Sequence, residues 1–297
     1  MTRLAEIQSH ISSMDELMDI VGAMRSLAGM RVQEAQRMLA GIRRYSASMA
    51  AAIGDALLLM PQGTASPPAS AGRRAIIVCM AEHGFVGGFN QRMIEAAEAE
   101  LDPAALLFVL GSRGAALAIE RGHKPAWTAP MATRLASTPQ TINRLTAELF
   151  LRIARGEVSR VDVLFSRYRQ GAAAAIERHT LLPVDTAPLA SGPARQAPLH
   201  NLEPRALTEK LIAEYVFALL TEAAVESIAS ENAARFAAME SAHENVGRQL
   251  DKLRQNARLA RQDEITTELL DLMTGAEALT HPTSRRTRRD AWADRRG

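Results

Sequence analysis

Apolar positions recur every three or four residues at both ends of this chain. From Leu207 to Leu279 no proline interrupts the run, and only Gly247 and Gly275 stand inside it. Val225, Ala229, Ala233, Phe236, Met239, Val246, Leu250, Leu253, Ala257 and Ala260 line one face of a helix. The stripe then steps sideways and resumes at Ile265, Leu269, Leu272, Ala276 and Leu279, as at a coiled-coil stutter. Such a helix is roughly 105 Å long at about 1.5 Å per residue, and it needs a partner along its length. The N-terminal residues supply one. Leu4, Ile7, Ile11, Met14, Met18 and Val21 keep the same spacing, and after a shift near Ala28 it continues at Val32, Ala35, Leu39, Ile42, Met49, Ile53 and Met60. If everything between them folds as one domain, the two helices return antiparallel.

The middle of the chain has a different rhythm. Ala75–Met80, Ala104–Leu110, Val161–Tyr168 and Ala174–Leu182 are short apolar runs that predict strands, the last two joined as a hairpin around Gln170-Gly171. Gln91–Leu101, Arg113–Arg121 and Pro139–Arg155 alternate with them as helices. The predicted architecture is therefore an α/β head domain, its sheet largely parallel, on a long antiparallel two-helix coiled coil. Its parts are an N-terminal helix over 1–60, a linker over 61–72, the head over 73–183, an extended proline-rich connection over 184–206, the C-terminal helix over 207–280, and an Arg-rich tail over 281–297. The tail has no apolar stripe, and disorder is its default expectation.

Composition fits this picture. The chain is 47% hydrophobic but only 4% aromatic, as narrow Ala-rich helix seams require. No stretch of about 18 apolar residues is free of charge, so no membrane span is expected. The N-terminus carries early acids and no apolar core of a signal peptide. The single cysteine, Cys79, falls in a predicted strand, where a buried inert thiol is expected. The net charge of +2 and a pI near 9.0 come from the tail.

Catalytic patterns are missing. The sequence holds neither H-E-x-x-H nor G-x-S-x-G, and its seven histidines are scattered. His10 and His243 fall near the two stripes and read as seam residues rather than metal ligands. The turn Gly84–Asn90 follows a strand and precedes a helix, where phosphate sites occur, but it is neither G-x-G-x-x-G nor a Walker loop. A tight turn that lets the helix pack on the sheet is the favoured reading. Asp263 and Glu264 read as a solvated helix face. Arg261 and Gln262, with Thr266 and Glu268 one turn on, find few rewarding pairs along their own helix, which leaves them free for a partner.

Several of these segments together resemble the gamma subunit of F-type ATP synthases. They are Ser230-Glu231-Asn232-Ala233-Ala234-Arg235-Phe236-Ala237-Ala238-Met239, Arg261–Glu268 followed by Gly275-Ala276, Ala23-Met24 with Ala28–Gln36, and the glycine turn Gly84–Asn90. The match runs nearly the whole chain in order. It implies a non-catalytic rotor shaft without cofactor or metal, inserted in a ring of three alpha and three beta subunits and joined to an epsilon subunit and a membrane c-ring. Nucleic acid is not an expected partner. The expected place is the cytoplasmic face of a bacterial inner membrane, as a peripheral protein. The resemblance further implies that Arg261, Gln262, Thr266 and Glu268 form a catch with a beta-subunit loop, and that Met24 and Arg25 meet an acidic loop of beta. Ser230, Glu231, Arg235 and Met239 are family motif residues. Arg31 replaces the family's usual Lys, Arg258 its Asn, and Glu82-His83 its Asp and neighbour; the tail is an addition. These departures suggest, as an alternative, a divergent F-type ATPase that is coupled to sodium and works mainly in hydrolysis. Rival readings are an α/β enzyme with a nucleotide at Gly84–Asn90, and a coiled-coil scaffold whose tail binds nucleic acid.

Overall fold

The computed structural model describes residues 3–60, 72–169, 174–190 and 198–280. Residues 61–71 of the expected 61–72 linker, the hairpin turn at Gln170-Gly171, residues 191–197 of the expected connection and the basic tail over 281–297 lie outside the described residues. Helix α1 spans Arg3–Leu57 and helix α6 spans Pro204–Thr280. Between them come β1 (Arg73–Cys79), α2 (Phe89–Glu100), β2 (Leu106–Leu110), α3 (Ser112–Glu120), β3 (Trp127–Ala129), α4 (Thr138–Ala154), β4 (Val158–Arg167), β5 (Ala175–Leu182) and the four-residue α5 (Ala187–Ala190). A short 3-10 turn, Leu135–Ser137, leads into α4.

The chain divides into two compact units. The first holds 21–242 and contains the sheet. Its strands run in the order β3-β2-β1-β4-β5, parallel except for the antiparallel β4–β5 pair. Alternation along the central strand sends its residues to two cores. Ile76 and Val78 join Phe89, Met93, Ile94 and Ala97 of α2 and Ala115 and Ala118 of α3. Ala75, Ile77 and Cys79 face the other way, toward Ile142, Leu145 and Leu149 of α4, Ala35 and Leu39 of α1, and Val216, Leu220, Val225 and Ile228 of α6. Within this unit α1 and α6 run antiparallel, tied by Arg25–Glu240 at 2.9 Å and Arg43–Glu222 at 3.0 Å.

The second unit holds the N-terminal residues up to Ile20 and those from His243 onward. Here too the helices pair antiparallel, with Arg254 donating to Asp15 at 3.0 Å. Gly247 packs beside Met18, whose Cε lies 3.4 Å from where a Cβ would sit. Extending that register one residue at a time leaves Arg3 opposite about residue 264. Beyond that point α6 runs on without α1 beside it.

Several sequence-based boundaries shift. Helix α6 starts at Pro204, three residues before the expected Leu207. Proline fits a first helical turn, and the Glu203 carboxylate accepts from the backbone N–H groups of Arg205 and Ala206 at 3.1 and 2.8 Å. Strand β4 begins at Val158, because Arg73 and Ser159 tie its start to β1: Arg73 N–H donates to Glu157 O and Ser159 Oγ to Gly72 O. Strand β2 is shorter than expected, since Asp102 Oδ1 accepts from Ala104 N–H in a turn. Strand β3 is missing from the sequence reading altogether. In the inner stripe of α6, Phe236 is 40% exposed rather than buried.

The glycine turn also differs from its expected role. An added Cβ at Gly84, Gly87 or Gly88 meets nothing within 4 Å, so close packing of α2 does not explain them. Gly87 is needed for its φ of +54°. Close approach belongs instead to Gly111 and Gly114, where a Cβ would run into Met80 at the end of β1.

Candidate functional site

An open α/β sheet offers a ligand crevice where its strand order reverses, outside the carboxyl ends of the strands. In this sheet that point lies between β1 and β4, since β2 and β3 extend to one side of β1 and β4 to the other. The crevice is filled by the chain itself. Ser227 Oγ of α6 donates to Cys79 O, the last carbonyl of β1, at 2.8 Å. One turn on, Ser230 Oγ donates to Ser166 O of β4, also at 2.8 Å. Glu226, on the same side of the helix, accepts from Tyr168 N–H just past β4 and from Arg43 of α1. Arg235 donates to Glu231 at 2.6 Å and reaches Gly84 O in the glycine turn at 3.4 Å. All five α6 side chains are buried.

Electrostatics follow from that burial. Glu226 and Glu231 are both held above the ordinary carboxylate range by desolvation; Arg43 and Tyr168 oppose it at Glu226, and Arg235 opposes it at Glu231. The Cys79 thiol is pushed up to about 12 by burial, which makes it inert, as its strand position suggested. The turn after β1 is fixed from within as well. Asn90 Oδ1 accepts from Ala81 N–H, and Glu82 accepts from Ser112 N–H, Ser112 Oγ and Met131 N–H at 2.7–2.9 Å. A nucleotide therefore finds the switch-point crevice between β1 and β4 occupied; the Gly84–Asn90 turn itself lines a separate, open depression with Gln91, Arg113 and Leu117. Among the described residues no group of His, Cys, Asp and Glu is placed to hold a metal ion. No described helix is long and apolar enough to cross a membrane.

The sequence-derived site residues fall in three places. Ser230, Glu231 and Arg235 form the plug just described, and Met239 is buried one turn later. Met24 is half-buried on α1, and Arg25 beside it already pairs with Glu240 at 2.9 Å. Arg261, Gln262, Thr266 and Glu268 are all exposed on α6, near and beyond the end of its pairing with α1. Thr266 Oγ1 returns a bond to Gln262 O at 2.9 Å, whereas Arg261 and Glu268 form no ion pair among the described residues. Around them Ile265, Leu269 and Leu272 are 50%, 56% and 70% exposed, with Leu270 and Met273 beside them. The shifted stripe is real as a sequence pattern but stays exposed among the described residues.

Sequence reasoning missed Glu226, Ser227 and Arg43. A signal was present: Glu226, Ser227, Ser230, Glu231 and Arg235 share one side of a helix that is otherwise Ala-rich there. A polar side on a helix expected to be buried asks for polar partners.

The sequence profile of a family described as ATP synthase matches residues 3–279. The chain is 27% identical to the ATP synthase gamma chain of Geotalea uraniireducens, covering 94% of this chain and 99% of that one. It is 28% identical to the ATP synthase gamma chain of Chlorobium luteolum over the same shares. Among solved structures, a chain of the Euglena gracilis mitochondrial ATP synthase rotor superposes with a TM-score of 0.59 at 13% identity. That alignment covers 88% of this chain and 98% of the other. At so low an identity the likeness concerns the fold.

Proposed function

The chain belongs to the ATP synthase family, and we propose that it serves there as the gamma chain, the central shaft of an F-type complex. In this reading the far end of α6 sits inside a ring of alpha and beta subunits, and the sheet unit meets an epsilon subunit and the membrane c-ring. Catalytic sites belong to beta. The complex sits on a membrane, and in a bacterium this chain lies on the cytoplasmic face. A shaft of unequal cross-section offers each beta subunit a different surface. It thereby biases each toward a different conformation and nucleotide affinity. Ion flow turns the shaft and drives release of ATP; hydrolysis turns it back.

One observation carries this reading furthest. Past the pairing with α1, α6 exposes an apolar stripe, and among the described residues the side chains of Arg261, Gln262 and Glu268 beside it pair with nothing. Exposed apolar side chains in this number mark a surface made for a partner. Arg261 presents a planar fork of donors suited to a carboxylate, and Gln262 both donor and acceptor. Arg25, by contrast, is engaged with Glu240, so a contact with an acidic beta loop requires that pair to open or to be shared.

The test is the Arg261→Ala/Gln262→Ala variant in a complex assembled with alpha and beta. Loss of two polar contacts at the moving interface is expected to change ATP turnover by about tenfold. Turnover equal to that of the unsubstituted complex overturns the catch.

A further inference from the structure

We infer that Glu226–Arg235 of α6 is the torque joint that fixes the sheet unit against the long helix, an inference that rests on the proposed shaft function. Apolar burial has no preferred direction, so a helix lying on a sheet by apolar contact alone slides or rolls at low cost. Val216 and Leu220 of α6 fill the core before this stretch, but in the turns that carry the bonds Ala223, Ala224 and Ala229 stand beside Val225 and Ile228. They offer little mechanical keying. Hydrogen bonds, being directional, supply what these contacts lack.

The bonds are placed where they resist rotation. Ser227 and Ser230 grip carbonyls at the ends of β1 and β4, adjacent strands at the centre of the sheet. Glu226 ties the same helix turn to the chain just past β4 and, through Arg43, to α1. Arg235 reaches the glycine turn after β1. Within three turns, α6 is thus bonded to two strands, one loop and the neighbouring helix. Twist passing from α6 to the sheet loads these contacts directly.

The experiment compares Ser227→Ala/Ser230→Ala with Thr221→Ala. Thr221 is the control: it too is buried, but its hydroxyl donates to Phe217 O within α6. Amide exchange is first measured on the isolated full chain. In the double variant the amides of 80–90 and 166–168 are expected to exchange at least about fivefold faster, with no such change in the control. Unchanged exchange, or an equal change in Thr221→Ala, overturns the joint. If the double variant does not fold, the two single variants are read in the same way. Second, each chain is assembled into membrane-bound complex, and ions pumped per ATP hydrolysed are measured. The ratio is expected to fall in the double variant relative to both the control and the unsubstituted chain. Faster exchange with an unchanged ratio refutes the torque role while leaving the contact intact. Failure of the unsubstituted chain to enter any complex refutes the shaft function, and the torque role with it; the exchange data still decide whether the clamp holds the sheet.

Discussion

Asp162 and Glu231 are both buried carboxylates, yet their protonation is pushed in opposite directions. Burial works to raise Asp162, but hydrogen bonds from Thr180 at 2.6 Å and Arg74 at 2.5 Å outweigh it and leave it lowered. Its stabilising effect is present above the unfolded value near 3.9 and is lost as pH falls through the lower folded value. Asp162→Asn is therefore expected to cost about 1–3 kcal/mol at neutral pH, with the penalty shrinking in acid. Glu231 is raised by burial, so its sign reverses: its contribution is complete below about 4.3 and is lost as pH rises through the raised folded value. The penalty of Glu231→Gln shrinks as pH rises. Urea unfolding of both variants across pH reads the two slopes directly, and slopes of the same sign refute the assignment. The Asp162 network was not legible in the sequence, because Asp162 sits in an apolar strand and its partners come from β1 and β5, far away along the chain; the Glu231–Arg235 pair, one helical turn apart, was.

Among the elements, the long helices were the most legible. Every inward position expected on α1, from Leu4 to Met60, is buried or half-buried. A spacing repeated over many turns averages out local noise. The three-residue β3, between Pro125 and Pro130, has too few positions to show any period, and only its pairing with β2 defines it. The glycines show the same contrast. The conspicuous Gly84–Asn90 cluster suggested close packing, whereas close approach occurs at the inconspicuous Gly111, against the Met80 backbone, and Gly114, against the Met80 side chain. Gly114→Ala drives a methyl into Met80 and is expected to destabilise the chain by about 1–3 kcal/mol in urea unfolding. Gly84→Ala points into open space at an ordinary φ and is expected to change stability by less than about 1 kcal/mol. Equal effects at the two positions contradict this division of roles.

For the molecule as a whole, what the sequence pattern revealed was the presence of partners rather than their identity. The apolar stripe from Ile265 onward was visible as periodicity, and the fold shows that nothing within the described chain covers it. Periodicity alone assigns it to a helix on this chain as readily as to a ring of other subunits. The catch residues carry even less internal signature: an exposed Arg and Gln on a helix look like any solvated face. Their assignment came through family resemblance, while the plug at the strand ends emerged only from the fold. In the proposed shaft, a switch-point crevice filled by the chain's own helix belongs to a mechanical part, in which buried polar groups hold parts together and exposed ones are left for the ring.

The most direct test of that account is co-expression with the alpha and beta chains that accompany it, followed by size-exclusion chromatography and an ATPase assay. The account predicts a complex with one copy of this chain per alpha–beta ring, and ATP turnover that depends on its presence. A folded chain that never enters a complex with alpha and beta, or a ring whose turnover is indifferent to it, would contradict it.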